Sequence, residues 1–246
     1  IKSDLAVAGE IQQAILPRRF PPMPDIADKV DLFATMTPAK EVGGDFFDFF
    51  RIDEHRLGFV IADVSGKGVP ASIFMAVSRT LLRATGMRGI STKECLDCVN
   101  NMLCNESVDS MFVTVFYGIY NIQTGTIEYT NAGHNPPYIV HANGSIEALP
   151  MSSDIVAGMF ENMEFTQNEM KLDMGESLVL FTDGVTEAFN TSGQMFDESG
   201  LENTLRRVGP TGSEEICQAI LTDVSIFAGY EPQSDDITLM AIKRIK

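Results

Sequence analysis

The sequence predicts an α+β domain in which antiparallel β-sheets are stacked and covered by pairs of helices. Segments that alternate apolar and polar residues are joined by short turns, which is the pattern of antiparallel hairpins. Two pairs of helical segments interrupt the strands, so the order is strands, helices, strands, helices and a final strand. No repeat, low-complexity segment or shift in composition divides the 246 residues, which favours one domain.

The first third of the chain predicts one helix followed by three strands. Leu5, Ala8, Ile11 and Ile15 recur at helical spacing, and Pro17 ends that helix. A proline-rich segment then leads to an alternating strand, "KVDLFATMTP". The next two strands form a hairpin and read "FFDFFRID" and "LGFVIADVS".

The remainder predicts four helices and a block of strands between them. Helices are expected at residues 70–84 and 91–103, where Ser91 and Glu94 form a capping box. Two hairpins follow, "FVTVFYGIYNI" with "TIEYTNAG" and "PPYIVHANGSIEAL" around its Asn-Gly turn. The strand "ESLVLFTDG", helices at 198–208 and 214–227, and the strand "DDITLMAIKRI" complete the chain.

Composition excludes several function classes. A net charge of −16, from 34 acidic and 18 basic residues, repels phosphate backbones and argues against a nucleic-acid partner. No run of about 18 apolar residues could span a bilayer. Four cysteines do not indicate a disulfide framework, and the C-x-x-C of Cys95 and Cys98 is interpreted as helix packing in a reducing cytosol. Because the chain starts with Ile1, we expect a fragment of a longer protein.

Short acidic residues stand at the ends of several apolar strands. Each alone could be a turn residue, because aspartate favours turns. If they converge, two carboxylates 4 Å apart repel by about 4 kcal/mol at an effective dielectric constant near 20. Hard divalent cations such as Mg²⁺ or Mn²⁺ would remove that repulsion, since they prefer oxygen ligands. The residues concerned are Asp45, Asp63, Asp183, Asp235 and Asp236.

Five segments, taken in order, closely resemble the SpoIIE/RsbU-type bacterial branch of the PPM, or type-2C, metal-dependent Ser/Thr protein phosphatases. The segments are "EVGGDFFDFF", "IADVSGKGVPAS", "NAGHNPPYI", "LFTDGVTEAFN" and "SDDITLMAI". Each is moderately specific alone, and five in order are highly specific. The opening "AGEIQQAILP" also resembles the linker helix of the family. The resemblance implies a four-layer sandwich of two antiparallel sheets flanked by helix pairs.

The resemblance also implies a site for two Mn²⁺ or Mg²⁺ ions. Matched by motif, Asp63 bridges both ions, Asp45 helps to hold one of them, and the backbone carbonyl of Val64 faces a metal. Asp183 and Asp235 hold the other ion. These four aspartates are the predicted catalytic residues, and a water or hydroxide bridging the metals attacks the phosphorus.

The sequence leaves three assignments near these motifs open. Asp235 fits the aspartate of the superfamily's "D-N/D-x-T" ending, but local alignment leaves Asp236 as an alternative ligand. Asp48 either orients a metal-bound water or faces solvent. His134 either protonates the leaving oxygen or makes structural hydrogen bonds within its turn, and the second role is favoured.

The resemblance implies a role in signalling. The expected substrate is a phosphorylated STAS-type protein, such as an anti-sigma-factor antagonist. Residues 1–20 are the expected linker helix, continuing from a missing sensor region and dimerising, and residues 21–246 the phosphatase domain. The expected location is the cytoplasm, either free or as part of a membrane-anchored sensor. The alternatives are a small-phosphoester hydrolase on the same metal site and a catalytically silent scaffold stabilised by metal.

Overall fold

The structure, a computed structural model, describes residues 2–20, 22–106 and 111–246. The chain folds into two compact units. The first unit comprises Ile1–Arg18, Lys40–His134 and Met151–Lys171, and the second comprises Arg19–Ala39, Asn135–Pro150 and Leu172–Lys246. Within the described ranges, no helix combines the length and the hydropathy needed to cross a bilayer.

Both units contain helices and strands. The helices are α1 (Lys2–Ile15), α2 (Val69–Gly86), α3 (Thr92–Glu106), α4 (Asp183–Thr186), α5 (Asp197–Val208) and α6 (Ser213–Ala228), with a short 3-10 helix at Pro24–Ile26. The strands are β1 (Val30–Thr37), β2 (Phe46–Arg51), β3 (Arg56–Val64), β4 (Val113–Asn121), β5 (Thr126–Ala132), β6 (Tyr138–Val140), β7 (Ile146–Ala148), β8 (Asn168–Lys171), β9 (Ser177–Phe181) and β10 (Ile237–Arg244).

The first unit is built on an antiparallel sheet with strand order β2-β3-β4-β5-β8. Helices α2 and α3 pack against each other and against this sheet. Small residues allow the close approach of α2, because a Cβ at Gly86 would lie 2.7 Å from the Phe50 ring and from the Tyr117 hydroxyl. The Phe50 and Tyr117 rings stack with centroids 6.1 Å apart, so aromatic packing fills the space between helix and sheet.

The second unit is built on an antiparallel sheet with strand order β1-β10-β9-β6-β7. Helices α5 and α6 pack against each other, and α6 lies against β1 and β10. A single apolar cluster joins these helices to the sheet and includes Phe181, Leu201, Ile220 and Leu239. Burial of this cluster is the main term that stabilises the unit.

Most predicted elements are confirmed, including all three hairpins and both helix pairs. The capping box is present: the Glu94 backbone amide donates to Ser91 Oγ at 3.2 Å, and the Ser91 amide donates to Glu94 Oε2 at 3.0 Å. Strand β8 was not predicted, because its mainly exposed "NEMK" has no apolar alternation and is defined by pairing with β5. Pro21, at the predicted domain boundary, lies outside the described residues.

The helical face of α1 differs from the predicted one. Ile11 is 60% exposed, whereas Gln12 and Leu16 are buried. Leu5, Ala8 and Ile15 are half-buried. Sequence spacing therefore identified the helix and most of its packing side, but it included Ile11 wrongly and missed Gln12.

Beyond the helix, the Arg18 guanidinium donates to the carbonyls of Gln13 at 2.8 Å and Glu10 at 3.2 Å. The Gln13 carbonyl is one of the last four of α1, which have no amide donor within the helix.

Candidate metal centre

In the first unit, two of the predicted metal ligands are neighbours across a hairpin. Phe46 of β2 pairs with Ala62 of β3 at the end of the ladder, and Asp45 and Asp63 are the next residues on the two chain segments. If the antiparallel register continued by one step, it would set them opposite each other. Directly opposed residues have Cβ atoms about 4.5–5.5 Å apart. Asp45 is 1% exposed, so a charged form requires strong local compensation. This strand end can therefore present two carboxylates to one ligand.

The backbone around these acids leaves no room for a side chain. A Cβ at Gly44 would lie 2.9 Å from the carbonyl oxygen of Val64, the carbonyl that the family resemblance assigns to a metal. Only glycine permits this approach without a shift of the backbone. The local set is thus two carboxylates and one carbonyl, all oxygen donors, and it fits a hard divalent cation.

In the second unit, the loops that carry the other predicted ligands touch each other. Asp183 is the first residue of α4, directly after β9 and Thr182. A Cβ at Gly184 would lie 2.0 Å from the carbonyl oxygen of Asp236, so the loop after β9 and the loop before β10 are in backbone contact. The Thr182 amide also donates to the Thr238 carbonyl at 3.1 Å, extending the pairing of the two strands.

Asp235 and Asp236 differ in their surroundings. Asp236 is buried, and its Oδ1 accepts a hydrogen bond from the Ala39 amide at 2.8 Å. Asp235 is half-buried, and its Oδ1 accepts from the Asp236 amide at 2.9 Å. The Gln233 side chain fixes the backbone here by donating to the Asp235 carbonyl at 2.7 Å. Each carboxylate thus has one oxygen bonded to a backbone amide, and the choice of Asp235 over Asp236 as the ligand stays a prediction.

The predicted ligands are divided between the two units. Asp45, Asp63 and Val64 belong to the first, and the remaining aspartates to the second. Within the described ranges, no group of three or more histidine, cysteine, aspartate or glutamate side chains is arranged to hold a metal ion. The complete ligand set is therefore a prediction from the family resemblance, and the register and the glycine contacts above are its local support.

Asp48 has a different role from either one predicted. It is 1% exposed and pairs with Arg83 of α2 at 2.8 Å and with Arg79 at 3.1 Å. Burial raises the pKa of this carboxyl, and the two guanidinium groups oppose that shift. The prediction of a solvent-facing side chain is wrong, and Arg79 and Arg83 of α2 are the charged partners of Asp48 in the structure. The Asp48 ion pairs join β2 to α2.

His134 makes the structural hydrogen bonds favoured from the sequence. Its backbone amide donates to Asn131 Oδ1 at 2.8 Å, and its carbonyl accepts from Asn131 Nδ2 at 3.0 Å. The ring Nδ1 lies 2.8 Å from Thr114 Oγ1, and the residue is 2% exposed. Thr114 pairs with Asp63 in the β3–β4 ladder, so this network braces the strand that carries Asp63.

Sequence reasoning missed the residue that connects α1 to the Gly-Gly-Asp loop. The buried side chain of Gln12 forms two hydrogen bonds with the backbone of Gly43. The available signal was a polar residue on the same helical face as Ala8 and Leu16, spaced four residues from each. Arg79 and Arg83 were missed as well, because nothing local connects them to Asp48.

Comparison with known proteins identifies the family. The model of the Stage II sporulation protein E (SpoIIE) family matches residues 53–245, which is more than half of the chain. Protein IcfG of Synechocystis sp. is 32% identical over 98% of this chain and 41% of its own length. Phosphoserine phosphatase RsbU of Bacillus subtilis is 28% identical over 99% of this chain and 71% of its own length. The chain thus spans less than half of IcfG.

A solved structure supports the fold. The SiaA-PP2C domain of Pseudomonas aeruginosa superposes with a TM-score of 0.83, covering 98% of this chain and 95% of that one at 20% identity. This agreement confirms the predicted fold class, α+β with two antiparallel sheets and flanking helices. The chain belongs to the SpoIIE family, in the PPM-type phosphatase branch that its five ordered motifs resemble.

Proposed function

We propose that this chain is a metal-dependent serine/threonine phosphoprotein phosphatase acting on a partner signalling protein. The observation that supports the proposal is the β2–β3 ladder, which ends at the pair Phe46–Ala62, with Asp45 and Asp63 as the next residues on the two strands. In a member of the SpoIIE family, two carboxylates at this hairpin end beside a close backbone carbonyl support a cation site. The relative RsbU is itself named a phosphoserine phosphatase.

The proposed ligands are the side chains of Asp45, Asp63, Asp183 and Asp235 and the carbonyl of Val64. When bound, two Mn²⁺ or Mg²⁺ ions would lower the pKa of a water molecule and neutralise charge on the phosphoryl oxygens. The protein holds the acids in place: Thr114 braces the strand of Asp63 through the β4 ladder, and the Gln233 side chain supports the backbone of Asp235. No protein nucleophile is required.

The proposed substrate is a phosphoserine or phosphothreonine on a STAS-type protein of the anti-sigma-factor antagonist kind. Support comes from the family and from the chain's resemblance to the RsbU-type branch. A protein substrate also suits a site on strand-end loops, because an entire phosphorylated loop can approach it.

We further propose that the full-length protein dimerises through α1 and carries a sensor region upstream. Exposed apolar side chains support the dimer: Val7 and Ile11 of α1 are 53% and 60% exposed, and Ile73 of α2 is 61% exposed. A second copy of α1 is the proposed occupant of this surface. The proposed location is the cytosol, which suits a protein whose four cysteines are all free.

Phosphate release from a phosphorylated STAS-type protein tests the function. The chain is assayed with Mn²⁺ or EDTA beside Asp63→Ala and the surface variant Asp53→Ala, after circular dichroism has shown that all are folded. We expect turnover only with Mn²⁺, retained in Asp53→Ala and abolished in Asp63→Ala. Unchanged activity in Asp63→Ala would contradict the mechanism. Hydrolysis of p-nitrophenyl phosphate without any phosphoprotein turnover would favour the small-phosphoester alternative, and no turnover of either would favour the scaffold.

A further inference from the structure

The second unit contains a cavity beside the loops that carry Asp183 and Asp235. Its volume is about 330 Å³, and its described lining residues all belong to the second unit. One wall is the C-terminal half of α6, with Leu221 and Val224, and another is the segment after α4, with Ala188. Val224 and Ala188 are buried, so these walls are apolar. Ligand pockets usually measure about 300–1,000 Å³, so this cavity can take one large side chain or a small molecule.

The cavity adjoins both predicted metal ligands of the second unit. Gly184, the residue after Asp183, lines it, and so does Ser234, the residue before Asp235. The lining therefore begins one residue away from each ligand. An extended peptide rises about 3.3 Å per residue. A substrate whose phosphoserine lies at the metal centre can thus reach the cavity with a side chain only a few residues away from the phosphoserine.

Hydrogen bonds hold the loop between α6 and β10, which forms a third wall. The Gln233 side chain donates to the Thr37 carbonyl at 2.8 Å and to the Asp235 carbonyl at 2.7 Å. The Glu231 amide donates to the Ala228 carbonyl at 3.1 Å. Four of these five residues line the cavity, and the fifth is the ligand Asp235. A wall that is already ordered reduces the entropy lost when a ligand binds.

The rim of the cavity offers aromatic surface and one negative charge. Phe189 lines the cavity and is 40% exposed, and Tyr230, between the lining residues Gly229 and Glu231, is 99% exposed. Exposed aromatic side chains of this kind are enriched where proteins bind each other. Glu231 is the one charged residue among the described lining residues. Together with the net charge of −16, it disfavours an anionic amphiphile such as a fatty acid.

We propose that this cavity binds an apolar side chain of the substrate protein, within about four residues of its phosphoserine. The proposal rests on the proposed function, because it takes Asp183 and Asp235 as metal ligands. Metal ions recognise the phosphoryl group of any phosphoprotein, whereas this cavity selects a substrate by the residues beside its phosphoserine. The occupant is a polypeptide segment, since the exposed Tyr230 ring provides contact surface beyond the cavity itself.

Turnover of phosphoserine peptides tests the proposal on the whole chain. The peptides contain alanine and lysine, and a single leucine replaces alanine at each position in turn, from about four residues before the phosphoserine to about four after it. With Mn²⁺, we expect one position, or two neighbouring ones, to raise kcat/KM at least about tenfold over the peptide without leucine, because apolar pockets discriminate by about 10–200-fold.

The outcomes of the peptide series separate the two proposals. Equal turnover of all peptides would overturn the inference and leave the proposed function intact. Turnover of a phosphorylated STAS-type protein, but of none of the peptides, would overturn it as well. If neither the peptides nor the phosphoprotein released phosphate, the proposed function would fail and the inference would fail with it.

A variant that fills the cavity locates the leucine. Ser225→Trp adds an indole to the α6 wall, and Gln218→Trp is the matched control, at an exposed position of α6 outside the lining. In Ser225→Trp, the advantage of the best leucine peptide over the peptide without leucine should fall below about twofold, whereas the control should keep it. A general loss of activity does not change this ratio. An advantage retained in Ser225→Trp would overturn the inference.

Fluorescence measures binding without turnover. The chain contains no tryptophan, so Tyr230→Trp introduces a single reporter at the rim. With Mn²⁺, a non-hydrolysable phosphonate version of the best leucine peptide should shift the emission of Tyr230→Trp to shorter wavelengths and protect it from quenching by acrylamide. Emission of Gln218→Trp should not change. If decanoate shifted the emission of Tyr230→Trp and the peptide did not, the cavity would be a small-molecule site and the inference would be overturned.

Discussion

The acidic loops of the two units are held in different ways. In the second unit, the loops after β9 and before β10 are tied by hydrogen bonds between Thr182 and Thr238, at 3.1 Å from the Thr182 amide and at 3.0 Å to its Oγ1. Both of these strands lie inside the sheet. In the first unit, the stretch before Asp45 depends on a side chain of α1.

The acidic loops of the second unit are therefore held more rigidly than the loop before Asp45 in the first unit. The pairing of β9 and β10 is part of a buried sheet, and shifting it would disrupt the core of the second unit. In the first unit, the loop before Asp45 is held to α1 by the two Gln12 hydrogen bonds and by the close approach of Gly9 to the Glu41 carbonyl.

Removing a proposed ligand from either half should have the largest effect. We expect Asp183→Ala and Asp45→Ala each to lower kcat/KM toward a phosphoserine protein by at least about a hundredfold, because each removes a carboxylate assigned to a metal. Steady-state kinetics at a fixed Mn²⁺ concentration measure this change in kcat/KM. If kcat/KM fell in only one of the two variants, the aspartate replaced in the other variant would not take part in catalysis.

The next largest effect should come from the ion pairs that join β2 to α2. Asp48→Ala leaves the guanidinium of Arg79, which is 14% exposed, without its buried partner. Breaking a buried pair in this way should lower the free energy of unfolding by about 3 kcal/mol. Urea denaturation measures the change, with Asp53→Ala as the surface control, since the Asp53 side chain is 44% exposed and should lose under about 1 kcal/mol. Equal losses in the two variants would contradict a structural role for Asp48.

Two glycine substitutions compare the stiffness of the two halves. Gly184→Ala would place a Cβ 2.0 Å from the Asp236 carbonyl, in the backbone contact between α4 and the residue before β10. We expect a loss of about 2 kcal/mol in the free energy of unfolding. Gly44→Ala, with a Cβ 2.9 Å from the Val64 carbonyl, should cost about 1 kcal/mol because the loop can shift. Thermal unfolding of both variants measures the two losses. A larger loss in Gly44→Ala than in Gly184→Ala would show that the Gly44 loop is the stiffer one.

The smallest effect should depend on pH and is confined to the second unit. The Glu176 carboxylate, 2.6 Å from His141 Nδ1, raises the pKa of His141 above 6.5, with a further contribution from Glu147. A raised pKa in the folded state stabilises the protein at pH values below 6.5, and this contribution is lost as the pH rises through the folded value. His141→Gln should therefore cost up to about 1 kcal/mol at pH 6 and almost nothing at pH 9. Urea midpoints measured at both pH values test it, and an equal loss at each would contradict the charge effect.

Local signals in the sequence were sufficient for most of the fold. The alternation of apolar and polar residues, together with turn residues, located the hairpins, and the spacing of apolar residues located the long helices. These patterns are informative because apolar side chains occupy the face that packs against neighbouring elements. Helix α4 was predicted only as a turn, since four residues carry no periodic signal. The motif order gave the candidate ligands, but it could not give the partners of Asp48, because Arg83 lies 35 positions away and reaches it only when α2 packs on the sheet.

The strand order of the second unit has a consequence for how the protein is made. Strand β10 lies between β1 and β9, so it supplies the hydrogen-bonding partners of both. During synthesis on a ribosome, β1 cannot complete its pairing with β10 until residue 244 has left the exit tunnel, more than 200 positions after β1. Nascent chains that stall before that point lack the pairing that brings the Asp235 loop beside Thr182, and they should be dependent on chaperones.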